Sequence, residues 1–314
     1  MNTEKINLPH LVQQFYFEPL ALEESAMMAC HLYLWPRISG QASADVEPFS
    51  KGNETDVKRG GAMAHMRKQY AEPAMQSNGW NAPTILDPNY YWTVEGKPGV
   101  AVIPVNGMLS KGLGPFAESC MGAVNPDRIS HALSQAVAAK EIKQIVLDVG
   151  SPGGRVTYIP ELAAQIRAAA ATRGKTVWAF SDTHIASAAT WLATQADEII
   201  VTPSASVGSI GTYIAFLNPN LAMQMQGFSL ELFKQGTHKA LGLPGREMTQ
   251  ADRAYLQNSV DKINAQFVEA VKMGRKRATE EALRDAKMYD GAEAIRHGLA
   301  DGIASSWDDF VSML

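Results

Sequence analysis

The pattern of apolar and polar residues becomes regular from Gly99 onward. Short apolar runs that end in turn residues predict buried strands, as in "GVAVIPVNG", "IKQIVLDVG" and "KTVWAF". Between them lie stretches with apolar residues at helical spacing, such as "NPDRISHALSQAVAAK" and "YIPELAAQIRAAAATRG". Strands that alternate with helices predict an α/β fold with a parallel sheet, because parallel neighbours need a crossover connection.

The same alternation continues to the end of the chain. A small-residue helix in "SAATWLATQ" precedes the strand "DEIIV", and a helix in "NPNLAMQMQG" precedes a predicted strand "LELFKQG". Long helices are predicted from Thr249 to about Arg275 and from Thr279 to about Ala286, before a helix–strand pair in "GAEAIRHGLADGIA". One helix start is marked by a capping residue, Asn125, followed by proline at the first helical position.

The first part of the chain has a different character. The sequence of residues 1–37 predicts an N-terminal arm that contains a helix from Ala21 to Leu34. Residues 38–95 predict a polar linker, partly irregular or disordered, with a short helix near Ala62 to Tyr70. Residues 96–314 carry the regular pattern and predict one folded domain.

Composition excludes several classes of partner and site. The 314 residues carry 28 Lys plus Arg against 32 Asp plus Glu, a net charge of −4, which is too balanced to indicate nucleic acid or an anionic membrane. The cysteines, Cys30 and Cys120, have no metal-ligand spacing, so neither a disulfide framework nor a metal site is predicted. No apolar run is long enough for a membrane span, and the N-terminus lacks the pattern of a secretory signal, so a cytoplasmic protein is expected.

Two turns follow predicted strands, at the sheet edge where ligands of such folds bind. The turn "GSPGG", Gly150 to Gly154, could expose backbone N–H groups to an anion. It could also be a tight strand–helix connection with no further role. It lacks the lysine of a phosphate-binding loop and the glycine spacing of a dinucleotide fingerprint.

The second turn contains Ser187, at the start of the small-residue helix. Ser187 has three interpretations: a helix cap, a core filler or a nucleophile. The nucleophile elbow G-x-S-x-G is absent, which argues against an α/β-hydrolase. Asp182 and His184 lie close by in the sequence, but side chains so near on one loop rarely reach the hydroxyl in a productive line.

A later segment, "FKQGTHKALGLPGREMT", contains Lys234, His238 and Lys239. A solvated surface loop is the ordinary interpretation, since lysines are mostly exposed. A functional role needs one lysine buried beside a serine, because burial lowers the pKa of an amine until it can accept the serine proton. Serine–lysine catalysis is a recognised variant of the serine triad.

These features occur together in one order. "SAATW" at Ser187 is followed by "GSIG" at Ser209 and "GTHK" at Lys239, with "GVAVIPVNG" and "LDVGSPGG" upstream. The combination resembles the signal peptide peptidase A family of serine–lysine peptidases, in the ClpP/crotonase superfamily, over about Gly99 to Ile303. The opening "NLPHLVQQFYFEPLAL" and the polar linker look more narrowly like the arm of tailed-phage head-maturation proteases of the lambda protein C type.

The resemblance implies a superhelix of repeated ββα units and a serine endopeptidase that needs no cofactor and no metal. It assigns Ser187 as the nucleophile, Lys239 as the general base and Ser209 as a serine that orients the lysine amine. The N–H groups of Gly153 or Gly154, together with that of Ala188, would form the oxyanion site.

The resemblance also implies partners and a location. The expected substrates are proteins or peptides of capsid assembly, with the scaffold, the portal or the protease itself as candidates. A homo-oligomer is expected, working in the host cytoplasm or inside a prohead, with no nucleic-acid partner and no membrane span.

Two positions depart from the family pattern. The family commonly has a glycine just after the nucleophile where this chain has Ala188 and Ala189, and Gln235 replaces a serine in the lysine loop. These departures leave open a head-assembly protein that has lost activity. Two enzyme hypotheses also stay open: a cellular signal-peptide-degrading peptidase of the same family, and a crotonase-like acyl-CoA enzyme, which would not need a Ser–Lys pair.

Overall fold

The computed structural model describes residues 91–112, 122–216 and 218–314, with the backbone of two short strands nearer the N-terminus. The strands are β1 (Leu20–Leu22), β2 (Tyr70–Ala71), β3 (Trp92–Val94), β4 (Lys97–Asn106), β5 (Met108–Leu109), β6 (Ala123–Val124), β7 (Gln144–Gly150), β8 (Gly153–Arg155), β9 (Thr176–Ser181), β10 (His184–Ala186), β11 (Glu198–Val201), β12 (Ser206–Gly208), β13 (Met288–Tyr289) and β14 (Gly302–Ile303). The helices are α1 (Pro126–Ala138), α2 (Ile159–Ala170), α3 (Ala188–Ala193), α4 (Asn220–Met225), α5 (Gln250–Gly274), α6 (Glu280–Arg284), α7 (Gly291–Arg296) and α8 (Trp307–Met313).

The main sheet has seven strands in the order β14-β11-β9-β7-β4-β3-β2. The strands from β14 to β4 are parallel, and β3 and β2 add antiparallel strands at one edge. The apolar runs predicted as buried strands lie at the centre of this sheet, where β4 pairs with β7 from Val100 to Asn106. A mixed α/β fold with a parallel sheet is therefore confirmed.

A second strand follows each central strand and leaves the main sheet. After β7, strand β8 joins a four-stranded sheet of order β1-β8-β5-β6, and after β9, strand β10 joins a three-stranded sheet of order β10-β12-β13. Helices α2 and α3 come directly after β8 and β10, so the chain repeats a strand–strand–helix unit. Because β7 and β9 are parallel neighbours, the turns after them lie at the same edge of the main sheet.

Both faces of the main sheet are covered. On one face, the larger core cluster joins α1, α2, α3 and α5 to alternate residues of the strands, such as Ile103 and Leu147. On the other face, Phe180 packs against α8, with its ring stacked on Phe310 at a centroid distance of 4.7 Å. Burial on both faces explains why the central strands are almost continuously apolar.

Local capping explains where two helices begin. The side chain of Asn125 accepts a hydrogen bond from the N–H of Asp127 at 3.0 Å, and Pro126 is the first residue of α1, as predicted. Thr249 and Asp252 form a reciprocal capping box at the start of α5, which matches the predicted long helix. None of the helices in the described part of the chain is long and apolar enough to cross a membrane.

The strand predicted in "LELFKQG" is wrong. Residues 230–236 form turns and irregular backbone without a strand partner, and their side chains are exposed. Alternating apolar residues produce a strand when another strand receives their backbone hydrogen bonds, and this segment has no such neighbour within the described chain.

The N-terminal predictions fall mostly outside the described residues. The prediction of a helix from Ala21 to Leu34 is wrong at its first two residues, because Ala21 and Leu22 belong to strand β1. The rest of the predicted helix lies outside the described residues. The short helix predicted near Ala62 to Tyr70 also lies outside them, except that Tyr70 belongs to β2. Strand β3 lies within the range predicted as linker and pairs with β4 in the main sheet.

Candidate active site

The turn between β10 and α3 holds Ser187 in a strained backbone conformation. Its φ of 55° and ψ of −118° are sparsely populated for a residue with a side chain, and such strain costs about 1–3 kcal/mol. The Ser187 N–H donates to the carbonyl of Gly208 at 2.9 Å, and the Ser187 carbonyl accepts from the N–H of Trp191 at 3.0 Å. Strand β12 and the first turn of α3 therefore hold this residue from both sides.

The Ser187 side chain is buried, yet its hydroxyl forms no hydrogen bond within the described residues. It does not cap α3. A buried hydroxyl without a partner costs about 1–3 kcal/mol, so a cap or a packing role leaves this arrangement unexplained. A nucleophile, in contrast, requires a hydroxyl that is not committed to another group.

Thr190 locks the turn from within α3. Its hydroxyl lies 2.8 Å from the carbonyl oxygen of Ile185 and 2.8 Å from that of Gly208, so one side chain ties β10 and β12 to the helix. Sequence reasoning missed this residue. In "SAATW" the threonine reads as one more small helix residue, because only the folded turn brings the two carbonyls within its reach.

Ser209 lies beside the same turn. It follows β12 directly, is almost buried and has a positive φ of 54°. Its N–H donates to the carbonyl of Lys287 at 2.8 Å, and the preceding residue, Gly208, receives the N–H of Ser187. The structure thus brings Ser187 and Ser209 onto adjacent segments, although 22 residues separate them in the sequence.

The "SPGG" turn, which follows β7, lies beside the strand that leads to Ser187. The N–H of Ser151 donates to the carbonyl of His184 at 3.1 Å, and the N–H of Ala186 donates back to Ser151 at 3.0 Å. These bonds fix the turn to the strand that ends immediately before Ser187. Helix α3 in turn packs against β8, which begins at Gly153.

The two glycines of this turn are required by the backbone. Gly153 and Gly154 have φ values of 94° and 156°, and a Cβ on Gly154 would lie 2.0 Å from the carbonyl oxygen of Leu109. The N–H of Gly153 donates to the hydroxyl of Ser151 at 3.2 Å. Ala188 supplies a further donor, since the N–H of the first residue of a helix has no partner within the helix.

A Ser-His-Asp triad gains no support from the geometry. The Ser187 hydroxyl makes no hydrogen bond to His184, and Asp182 is exposed to solvent. Within the described residues, no group of three or more histidine, cysteine, aspartate or glutamate side chains is placed to hold a metal ion. Both cysteines lie outside those residues.

Lys239 lies in an exposed turn. Its N–H donates to the carbonyl of Gly236 at 3.3 Å, and its side chain is open to solvent, as is that of Gln235. Because the Ser187 hydroxyl has no partner in the described chain, no hydrogen bond joins it to Lys239. The structure therefore brings together Ser187, Ser209 and the "SPGG" turn, and it leaves Lys239 exposed without a hydrogen bond to Ser187.

Asp252, at the start of α5, anchors the loop that carries Lys239. Its buried carboxylate accepts hydrogen bonds from His238 at 2.9 Å, from Arg246 at 2.8 Å and from the hydroxyl of Thr249 at 2.7 Å. These donors, His238 first among them, hold the pKa of Asp252 well below its usual range. Sequence reasoning missed Asp252, although the T-x-x-D pattern of a capping box marks it.

Residues 169–314 match the protein family described as Peptidase family S49. This C-terminal segment of the chain is similar to the peptidases of family S49. The matched range includes Ser187, Ser209 and Lys239, while Gly153 and Gly154 precede it. The family resemblance expected from the sequence is confirmed.

Several similar proteins extend the S49 match beyond residues 169–314. Capsid assembly protease C of Escherichia phage lambda is 29% identical over 320 residues, which cover 100% of this chain and 67% of that protein. Head-tail preconnector protein GP5 of Enterobacteria phage P21 is 27% identical over 308 residues, covering 96% of this chain and 56% of that protein. Protease 4 of Salmonella typhi is 29% identical over 222 residues, covering 68% of this chain and 34% of that protein.

Proposed function

We propose that this protein is a serine endopeptidase that cleaves capsid-assembly proteins of a tailed phage or prophage. The match of residues 169–314 to Peptidase family S49 supports the class of reaction, and the similarity to capsid assembly protease C over the whole chain supports the setting. The observation that carries the proposal is the conformation of Ser187. Its backbone is strained, it stands at the start of a helix, and its buried hydroxyl has no hydrogen-bond partner in the described residues.

The proposed mechanism uses a Ser–Lys dyad. The Ser187 hydroxyl attacks the substrate carbonyl while the neutral amine of Lys239 takes its proton, and Ser209 orients that amine. The N–H groups of Ala188 and of Gly153 or Gly154 stabilise the oxyanion, a contribution of about 3 kcal/mol per donor. The lysine then protonates the leaving amine, and a water molecule, activated by the same amine, releases the acyl group. No step uses a metal or a cofactor.

The position of Lys239 bears on how the dyad forms. The loop of Lys239 is tied to Asp252 at one end of α5, whereas α5 meets α3 at Phe267, whose ring stacks on Trp191 at 4.8 Å. The stretch of helix from Asp252 to Phe267 spans about 22 Å. We therefore propose that the lysine of one copy serves the serine of another, so that the active site is complete only in a homo-oligomer.

An exposed apolar surface near this loop supports association. We call it the apolar loop surface, and it consists of Leu221, Met225, Phe228, Leu230, Leu232, Phe233 and Leu243. Phe233 is 93% exposed and Met225 is 81% exposed. Soluble monomers rarely expose large apolar patches, and a second copy that covers these side chains would also remove Lys239 from water.

The finer fold and domain assignments belong to the same proposal. The repeated strand–strand–helix units support a ClpP/crotonase-like superhelix. We propose an arm at residues 1–37, a linker at 38–95 and the peptidase domain at 96–314, with β3 joining the domain from the linker range. The setting proposed is the host cytoplasm or the interior of a prohead, with scaffold, portal or the protease itself as substrate.

The first test removes each member of the dyad. Ser187→Ala and Lys239→Arg should each reduce cleavage of fluorescein-labelled casein by a factor on the order of 10⁴ or more, because arginine stays protonated and cannot act as a base. The matched controls Ser204→Ala and Lys234→Arg change an exposed serine and an exposed lysine nearby and should keep activity. Full cleavage by the Ser187→Ala chain would refute the proposed nucleophile.

The second test mixes the two inactive variants. Co-expression of Ser187→Ala and Lys239→Arg chains should restore part of the activity, because mixed oligomers contain sites with an intact serine from one copy and an intact lysine from another. Each variant alone, at the same total concentration, is the control. Mixed oligomers without recovered activity would place serine and lysine in one chain.

A further inference from the structure

The short strand β1 lies along β8, next to the candidate nucleophile. The two strands are antiparallel, with Leu20 opposite Arg155 and Leu22 opposite Gly153. Gly153 follows the turn that is bonded to β10 just before Ser187, and α3 packs against β8. The chain of β1 therefore runs along β8 towards the end that lies at Ser187.

This arrangement is that of a peptide bound by strand addition. In that mode an extended peptide joins a sheet edge through its backbone and needs no particular side chain for the main-chain hydrogen bonds. The other edge of β8 pairs with β5 through Gly154 and Leu109, so β1 occupies the remaining edge. Glycine at positions 153 and 154 suits the close approach of another backbone.

The direction of β1 also suits a substrate. A peptide that runs from Arg155 towards Gly153 brings its following carbonyl to the end of β8 that adjoins the Ser151 turn. That turn is bonded to His184 and Ala186, just before Ser187. Residues Leu20, Ala21 and Leu22 thus stand where the residues before a scissile bond would stand.

We propose that Leu20–Leu22 fill the substrate-binding edge of β8 in the isolated protein, so that the N-terminal segment must leave before another extended peptide can bind. The inference rests on the proposed function, since it takes Ser187 as the nucleophile. A strand of three residues at a sheet edge opens at a small part of the cost of global unfolding, so exchange with a substrate is feasible. The apparent affinity for a peptide falls by the fraction of molecules in which the edge is free.

A binding experiment tests this without catalysis. The full-length Ser187→Ala chain is titrated into a fluorescein-labelled peptide with the sequence of residues 16–26, "YFEPLALEESA", and anisotropy is measured. A second protein adds Ala21→Pro and Leu22→Pro, which remove at least one backbone donor of β1 whether Ala21 or its two neighbours bond to β8. The matched control adds Ala42→Pro and Ser43→Pro, two prolines outside β1.

The chain disrupted in β1 should bind the peptide about tenfold more tightly than the control, the factor expected when β1 is paired in roughly 90% of molecules. Excess unlabelled peptide should also accelerate hydrogen exchange at Leu20–Leu22 in the chain without prolines. Equal affinities of the two proline variants, or exchange at β1 that does not respond to peptide, would overturn the inference.

Failure of the proposed function gives a different result. Casein cleavage that survives Ser187→Ala refutes the nucleophile, and the peptide affinities then decide by themselves whether β1 competes for the edge of β8. With the nucleophile intact, the β1 prolines should also speed labelling of Ser187 by a fluorophosphonate probe, and the control prolines should not.

Discussion

Around Ser187 every residue of α3 is buried, and two small sheets hold the turn by backbone hydrogen bonds. Around Lys239 the chain forms exposed turns, and one buried carboxylate, Asp252, ties them to α5. The first region can store backbone strain because its surroundings over-determine it. The second region is anchored at one end by Asp252 and leaves the side chain of Lys239 in water.

The comparison teaches how the two halves of the proposed Ser187–Lys239 pair are built differently. The hydroxyl of a nucleophilic serine must be held within about 0.5 Å of its productive position, and rigid sheets with a packed helix can hold it there. A lysine base must instead be taken out of water, and the described residues of one chain do not do this for Lys239. Association with a second copy would supply the burial that Lys239 lacks in one chain.

The largest expected effect on stability comes from the core beneath α3. Phe267 is fully buried and stacked on Trp191, so Phe267→Ala should lower the free energy of unfolding by about 3–5 kcal/mol through lost burial and a cavity. Phe233→Ala, the same change at an exposed position, should cost less than about 0.5 kcal/mol. Urea denaturation measures both. Similar costs at the two positions would contradict the contrast between the regions.

A smaller effect is expected on association. Phe233→Ser should weaken self-association at least about tenfold, because one large apolar contact of the apolar loop surface is removed. Met313→Ser, at an exposed apolar residue of α8, should leave it unchanged. Sedimentation analysis over a range of concentrations gives the dissociation constants. A wild-type chain that stays monomeric at all working concentrations would remove the homo-oligomer from the proposal.

The smallest effect is local and depends on pH. The pKa of Asp252 is lowered in the folded chain, so its stabilisation of the Lys239 loop is complete above about pH 5 and is lost as pH falls below the ordinary aspartate value of ~3.9. His238 and Arg246 are the basic side chains that face this carboxylate. The protection of residues 234–249 against hydrogen exchange, measured relative to the intrinsic rate at each pH, should therefore fall in strong acid.

The Asp252→Asn chain provides the comparison for this prediction. Protection of the loop should already be low at neutral pH and should not fall further in acid. Asp261→Asn, at an exposed carboxylate of the same helix, should behave as the unchanged chain. An acid response that persists in the Asp252→Asn chain would assign the effect to another group.

The sequence by itself determined the parts of this protein that depend on short-range patterns. Continuous apolar runs predicted the central strands, Asn125 and Thr249 predicted helix starts, and the order of "SPGG", Ser187, Ser209 and Lys239 predicted the family. These signals work because periodicity, capping and turn chemistry act between residues a few positions apart.

Tertiary structure decided everything that required distant segments to meet. The strain at Ser187 depends on the carbonyl of Gly208, the bonds of Thr190 depend on two strands, and the place of Lys239 depends on Asp252. The same reason explains the error at "LELFKQG", where alternation suggested a strand but no neighbouring strand within the described chain receives its hydrogen bonds. Backbone groups must be paired in three dimensions, and a linear pattern does not contain the partner.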